Sequence, residues 1–255
     1  LPAHRGYVEP YAGSLSILLA KPPTTLEVAN DLDGDLVTFW RVLRDRPDDL
    51  ARACALTPHA RAEHDACWPL PAGLDDLERA RRVWVKLSQG RGGSLRATGW
   101  RHFEGSRGRS ASMPQTLQGY AARILDVAER LASVTLECRP ALDVIDRYGR
   151  AADTLLYVDP PYLYRTRSRT ARYRHELGDD QSHRDLAGAL HACRSAVVVS
   201  GYADPMYDEL YAGWHRATLP ASTSQLAGPR RARVEVLWSN RPLGHGQLEL
   251  VGGAL

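Results

Sequence analysis

Short apolar runs alternate along the chain with longer segments of helical periodicity, and the runs predict a sheet. Residues 154–158, Thr-Leu-Leu-Tyr-Val, are continuously apolar and stop at an acid and two prolines, as a short strand buried on both faces does. Residues 196–200 read the same way, and 26–29, 134–137 and 234–238 supply further strands. Tyr7 and Val8 end a strand at the front. Helices are predicted over 16–21, 36–44, 141–148, 183–193 and 207–211, the first stopped by Pro22 and Pro23. Thr57 reads as the cap, and Pro58 as the opening, of a helix that runs on through 61–67. Strands alternating with helices predict a doubly wound α/β sheet, and no internal repeat is evident.

Between residues 56 and 133 this rhythm breaks. Helical stretches there flank residues 87–112, which are rich in Gly, Ser and Arg. The division expected is therefore a sheet domain over 1–55 and 134–255 with an inserted, mainly helical domain over 56–133. Two more loops stand out: the arginine-rich residues 164–175, placed to cover a site or track a phosphate backbone, and the Gly/Pro/Arg-rich residues 222–233.

Length and composition narrow the class. A chain of 255 residues buries a substantial core as one α/β domain, with or without an insertion. No apolar stretch is long enough to span a membrane and the front carries no signal pattern, so a cytoplasmic protein is expected. Cysteines at 54, 67, 138 and 193 are too sparse for a disulfide scaffold. Cys54, His59, His64 and Cys67 match no standard structural zinc spacing, so a helix is the preferred reading and no metal is expected.

Net charge is only +3, but it is unevenly placed. Arg79, Arg81, Arg82, Lys86, Arg91, Arg96, Arg101, Arg107 and Arg109 share their stretch with a single acid, Glu104. Concentrated basic charge in a near-neutral protein points to a polyanionic partner. Trp84, Trp100 and Phe103 are interleaved with these cations, either as stacking surfaces for bases or as a minor core.

The candidate chemistry lies at Asp159-Pro160-Pro161-Tyr162. Open α/β sheets bind ligands at the C-terminal ends of their strands. There a carboxylate, a carbonyl held by two prolines and an aromatic face converge within four residues, a set able to grip a planar group bearing an amino function. Asp and Pro also simply form turns. The front of the chain offers a strand, a turn at Gly13, a helix and a second strand ending at Asp31, the layout with which nucleotide-binding folds hold ribose hydroxyls. Gly13 reads equally as a tight turn, and Asp31 as a helix cap.

Taken together, these stretches resemble a family. Tyr7-Val8-Glu9-Pro10-Tyr11-Ala12-Gly13-Ser14, then Glu27-Val28-Ala29-Asn30-Asp31-Leu32-Asp33-Gly34-Asp35-Leu36, then a long insertion, then Asp159-Pro160-Pro161-Tyr162 resemble Dam-like, D12-class DNA adenine-N6 methyltransferases in content and order. Leu56-Thr57-Pro58, Thr98-Gly99-Trp100-Arg101, Tyr173-Arg174-His175-Glu176, Ser200-Gly201-Tyr202 and Val234-Glu235-Val236-Leu237-Trp238 extend the likeness. The resemblance implies a Rossmann-like methyltransferase sheet with an inserted target-recognition domain. It implies methyl transfer from S-adenosylmethionine to the N6 amino group of adenine at a specific duplex DNA sequence, with base flipping.

By the same resemblance Asp159, Pro160, Pro161 and Tyr162 are catalytic. Tyr11, Ala12, Gly13, Ser14, Asp31, Leu32 and Asp159 hold the cofactor, and Lys86, Arg91, Arg96, Arg101, Arg107 and Arg109 contact DNA. Partners would be double-stranded DNA and, where the enzyme belongs to a restriction system, a cognate endonuclease. A monomer is expected. Three departures carry expectations of their own. Leu15 stands where relatives keep a small residue, and either crowds the cofactor or turns into the core. Pro140 stands where many carry an acid. Relatives begin with a Gly-Gly-Lys segment, which the given sequence starts after, so weak cofactor binding is expected of it. Two other readings stay open: an amino-methyltransferase acting on RNA or a protein glutamine, and a degenerate relative that only binds DNA.

Overall fold

The computed structural model describes residues 1–93, 95–102, 112–163, 177, 179–219 and 235–243. The apolar runs become strands: β1 (Gly6–Glu9), β2 (Leu26–Asn30), β3 (Val134–Glu137), β4 (Thr154–Val158), β5 (Ala196–Tyr202), β6 (His215–Leu219) and β7 (Glu235–Ser239). They form one sheet in the order β3-β2-β1-β4-β5-β7-β6. β1 runs parallel to β2 and β4, and β4 parallel to β5, while β7 is antiparallel to both β5 and β6. This is the doubly wound, Rossmann-like sheet expected from the alternation. Every residue of β4 is buried, which is why its sequence is an unbroken apolar run.

The helices are α1 (Ser16–Ala20), α2 (Gly34–Asp45), α3 (Pro47–Leu56), α4 (Arg61–Asp65), α5 (Asp76–Gln89), α6 (Met113–Ala122), α7 (Ile124–Leu131), α8 (Ala141–Tyr148), α9 (Asp180–His191) and α10 (Pro205–Leu210). One expectation is corrected. Thr57 does not open the helix after it but closes α3, its hydroxyl donating to the Ala53 carbonyl at 2.8 Å, and Ala60 stands at the N-cap of α4. α3 and β6 went unpredicted. Residues 164–175 and 222–233, read as loops, lie outside the described residues, as does Val234, the expected first residue of the last strand.

The chain divides into two compact units, one made of Leu1–Leu32 with Glu137–Ala254, the other of Asp33–Leu136. The first is built on the sheet. Its core joins Val8, Val28, Leu156, Val158, Val197 and Val199 with Tyr207 and Trp238. The second is helical. α2 buries Leu36, Phe39, Trp40, Val42 and Leu43 and packs on α5 and α7, and α3 packs on α5, α6 and α7. The helical unit thus includes α2 and α3.

Candidate active site

β1 leads to β2 on one side of the sheet, whereas its neighbour β4 leads to β5 on the other. The crevice between the C-terminal ends of β1 and β4 is thus the topological switch point, where open α/β sheets receive ligands. Into it run the segments after β1 (Pro10 to Leu15), after β2 (Asp31), after β4 (Asp159 to Tyr162) and the end of β5 (Ser200 to Tyr202).

Asn30 ties the first of these together. Its side-chain amide donates to the carbonyls of Pro10 at 2.9 Å and Arg139 at 3.0 Å, while its Oδ1 accepts from the Arg139 amide at 2.9 Å. The backbone adds Ala12 N to the Asn30 carbonyl at 2.7 Å. Asp31 Oδ2 accepts from the Gly13 amide at 3.0 Å, clasping the turn. Gly13 has φ +48°, and a Cβ built on it would meet nothing within 4 Å, so the turn leaves open space beside its backbone. Nothing in the sequence singled out Asn30 as the knot; its two donors and one acceptor become legible only when three loops converge.

Leu15 turns into the core. It is fully buried and adopts φ 57°, left-handed backbone that costs a non-glycine residue about 1–2 kcal/mol. Beneath the same loop, Glu9 is buried. It accepts from the Tyr7 hydroxyl at 2.7 Å and the Leu18 amide at 2.9 Å, and burial pushes its carboxyl up to about 8.

Asp159 stands just past β4, accessible to solvent, while protein gathered around its carboxyl raises it above the usual aspartate range. Hydrogen bonds from Ser200 and Tyr162 pull it back toward the ionised form. The Ser200 hydroxyl lies 2.7 Å from Asp159 Oδ1. Pro160 is buried, which fixes the corner, and Tyr162 meets the edge of Tyr202 with ring centroids 4.7 Å apart at 69°. The site is thus an accessible carboxyl group held from two sides, beside a half-buried aromatic ring.

In the helical unit the predicted cations separate. Lys86 is buried, with its ammonium 4.1 Å from the Trp68 ring centroid. Arg79 pairs with Asp35, Arg81 with Glu63 and Glu78, and Arg82 with Glu78. Arg91 and Arg101 are exposed and Arg96 is half-buried; Arg107, Arg109 and Phe103 lie outside the described residues. Trp84 is core, whereas Trp100 is half-exposed. Of the tempting zinc set, Cys54 is buried inside α3 and Cys67 donates to the Glu63 carbonyl. No helix among the described residues is long and apolar enough to cross a membrane.

Residues 112–222 match the family model of the D12 class N6 adenine-specific DNA methyltransferases, a span that contains Asp159 to Tyr162 and Ser200. The match bears out the resemblance drawn from the motifs and supports methyl transfer; methyltransferases of this kind use S-adenosylmethionine in general. Among solved structures the chain is similar to the rRNA methyltransferase AviRa from Streptomyces viridochromogenes, at 14% identity over 94% of this chain and 79% of that one, with a TM-score of 0.36. No curated protein matches the sequence.

Proposed function

We propose that the chain transfers a methyl group from S-adenosylmethionine to the N6 amino group of adenine in a specific duplex DNA sequence. The observation that carries the reading is Asp159, an accessible carboxylate at the switch point, held by Ser200 and followed by Pro160, Pro161 and Tyr162. An adenine amino nitrogen is a poor nucleophile because its lone pair is delocalised into the ring. Two acceptors on its hydrogens localise that pair and aim it. The Asp159 carboxylate is one, and the Pro160 carbonyl the other, with Pro161 stiffening the corner. Tyr162 stacks on the base after it leaves the duplex. Methylation leaves a surplus proton on the nitrogen, and Asp159, already hydrogen-bonded there, receives it.

The residues present suit the cofactor. Asp31, at the end of β2, offers a carboxylate for ribose hydroxyls, and the open space beside Gly13 lets a ligand approach the Tyr11–Ala12–Gly13–Ser14 backbone, with Leu32 exposed alongside. When bound, S-adenosylmethionine supplies an electrophilic methyl group, so positioning and electrostatics are the protein's main contributions. DNA contact falls to the helical unit, through Arg91, Arg96, Arg101, Arg107 and Arg109, without Lys86.

The test is to incubate unmethylated plasmid with the protein and cofactor and to sequence for modified adenines. N6-methyladenine confined to one short motif is expected. Unmodified plasmid alongside methylated RNA or protein would overturn the DNA reading.

A further inference from the structure

Glu9, the last residue of β1, is a buried carboxyl to which the reaction proposed above gives no task. Its two hydrogen bonds fall on the same oxygen. Oε1 accepts from the Tyr7 hydroxyl at 2.7 Å and from the Leu18 amide of α1 at 2.9 Å, and no described residue donates to Oε2. Among the described residues no cation pairs with it either. The Lys21 ammonium, close enough to be felt, is bound to Glu27 of β2 at 2.7 Å and lies 4.6 Å from the centroid of the Tyr7 ring. A buried carboxyl without a cation is held neutral, because water cannot solvate its charge. Burial pushes Glu9 up to about 8 and the Asp159 carboxyl adds to the rise, while Tyr7, Leu18 and Lys21 pull the other way. Tyr157, the remaining titratable group facing it from β4, is itself kept protonated by burial.

Register sets Glu9 beside the catalytic acid. Val8 lies opposite Leu156, so Glu9 comes opposite Tyr157, and Asp159 stands two residues further along the adjoining strand. Val8, Leu156 and Val158 turn into the core, so Glu9 and Asp159 rise from the other face of the sheet. Both stand where the C-terminal ends of β1 and β4 border the switch-point crevice. A buried carboxyl with a free acceptor oxygen and no cation of its own suits a ligand that brings the charge.

S-adenosylmethionine bears a sulfonium charge that S-adenosylhomocysteine, the product left after methyl transfer, lacks. We propose that Glu9 senses this charge: it gives up its proton to solvent as the cation enters the crevice, and so favours the cofactor over its spent, uncharged form. In a site of low dielectric the attraction acts without direct contact. The inference rests on the methyl-transfer reading and extends it to a residue outside the catalytic set. The protons balance. A proton leaves Glu9 when the cation binds. Transfer of the methyl group then converts the sulfonium into an uncharged thioether and leaves a surplus proton at the adenine nitrogen, taken by Asp159. That proton restores Glu9, which no longer faces a cation.

Isothermal titration at pH 7, in buffers of different ionisation enthalpy, counts the protons exchanged on binding. S-adenosylmethionine should release about one proton more than S-adenosylhomocysteine does. Glu9→Gln should remove that proton and lower the ratio of the two affinities at least about tenfold, the range for a lost charged contact. Wild-type protein supplies a second readout that needs no variant. From pH 6 to 7.5 its affinity for S-adenosylmethionine should rise by up to about tenfold per pH increment of one, and its affinity for S-adenosylhomocysteine should not. Equal proton release with both ligands, or an unchanged affinity ratio in a folded Glu9→Gln protein, would overturn the proposal. Plasmid methylation, read in parallel, separates the two claims. Methylation combined with equal proton release would sink the sensor and leave the methyl transfer standing, whereas a protein that binds neither ligand would sink both.

Discussion

The Ser200 hydroxyl and Asp159 Oδ1 lie 2.7 Å apart, although 41 residues separate them in sequence. The β4–β5 register sets Val199 opposite Val158, so the next residue of each strand meets at the sheet's end. The contact occupies one carboxylate oxygen and favours the ionised form.

Ser200→Ala should therefore alter how rate depends on pH. The reaction as proposed needs Asp159 ionised, and its carboxyl titrates above the usual aspartate range, so activity is lost as pH falls through that raised value. Removing the Ser200 donor raises it further and moves the acid limb of kcat to higher pH. On the alkaline plateau the loss should be smaller, because hydrogen bonds to a charged group are worth about 1.5–3 kcal/mol and only part of that is orientation. A lowered plateau with an unmoved limb would mean that Ser200 merely supports the fold.

Tyr162 carries two separable roles. Its ring is the stacking surface and its hydroxyl contributes a hydrogen bond to Asp159. Tyr162→Ala should lose most activity, since base–aromatic stacking is worth about 1–3 kcal/mol. Tyr162→Phe should retain the stacking contribution and shift the acid limb upward. Single-turnover rates for both variants across pH distinguish the roles, and a Phe variant as impaired as Ala would contradict the stacking assignment.

Asp31→Ala should weaken cofactor binding roughly ten- to hundred-fold, the range for a lost charged contact. The clasp on Gly13 goes with it, so the effect should appear in isothermal titration with S-adenosylmethionine before DNA is added. Unchanged affinity would place the cofactor elsewhere.

Glu9 links stability to pH. Its folded value, about 8, exceeds the ordinary 4.5 because burial disfavours its charge. Across that window the native state holds a proton that the unfolded chain has released, so stability falls as pH rises from about 4.5 to about 8 and is level above. Glu9→Gln keeps an acceptor for Tyr7 and Leu18 and removes the titration. Its stability relative to wild type should grow by several kcal/mol from the acid end of the window to the alkaline end, at about 1.4 kcal/mol for each pH increment of one. Urea denaturation at both ends gives the answer; parallel curves would show that Glu9 does not titrate as stated.

Much of this site was legible because its parts are local. β4 is apolar throughout and its prolines end it, so the run and its stop both lie in nine consecutive residues. Gly13 and Asp31 follow strands in the same way. The partners of these residues were not legible. Ser200 meets Asp159 only through strand register, and Asn30 reaches Arg139 across 109 positions. The basic stretch misled in the opposite direction. Arg79, Arg81 and Arg82 look unopposed in sequence, but Asp35, Glu63 and Glu78, all outside the stretch, neutralise them in space. β6 stayed hidden because His-Arg-Ala-Thr-Leu has no apolar run: among the described residues it pairs only with β7, and it leaves His215 and Arg216 exposed.

The most direct measurement compares wild type with Asp159→Ala in methyl transfer from labelled S-adenosylmethionine to duplex DNA, with thermal unfolding recorded for both. Asp159 is accessible at a strand end, so the substitution should leave the unfolding temperature within a few degrees. Methylation of adenine N6 by the wild type, and its loss by at least about a hundredfold in the variant, is the predicted result. Near-normal turnover by a folded Asp159→Ala protein would contradict the mechanism.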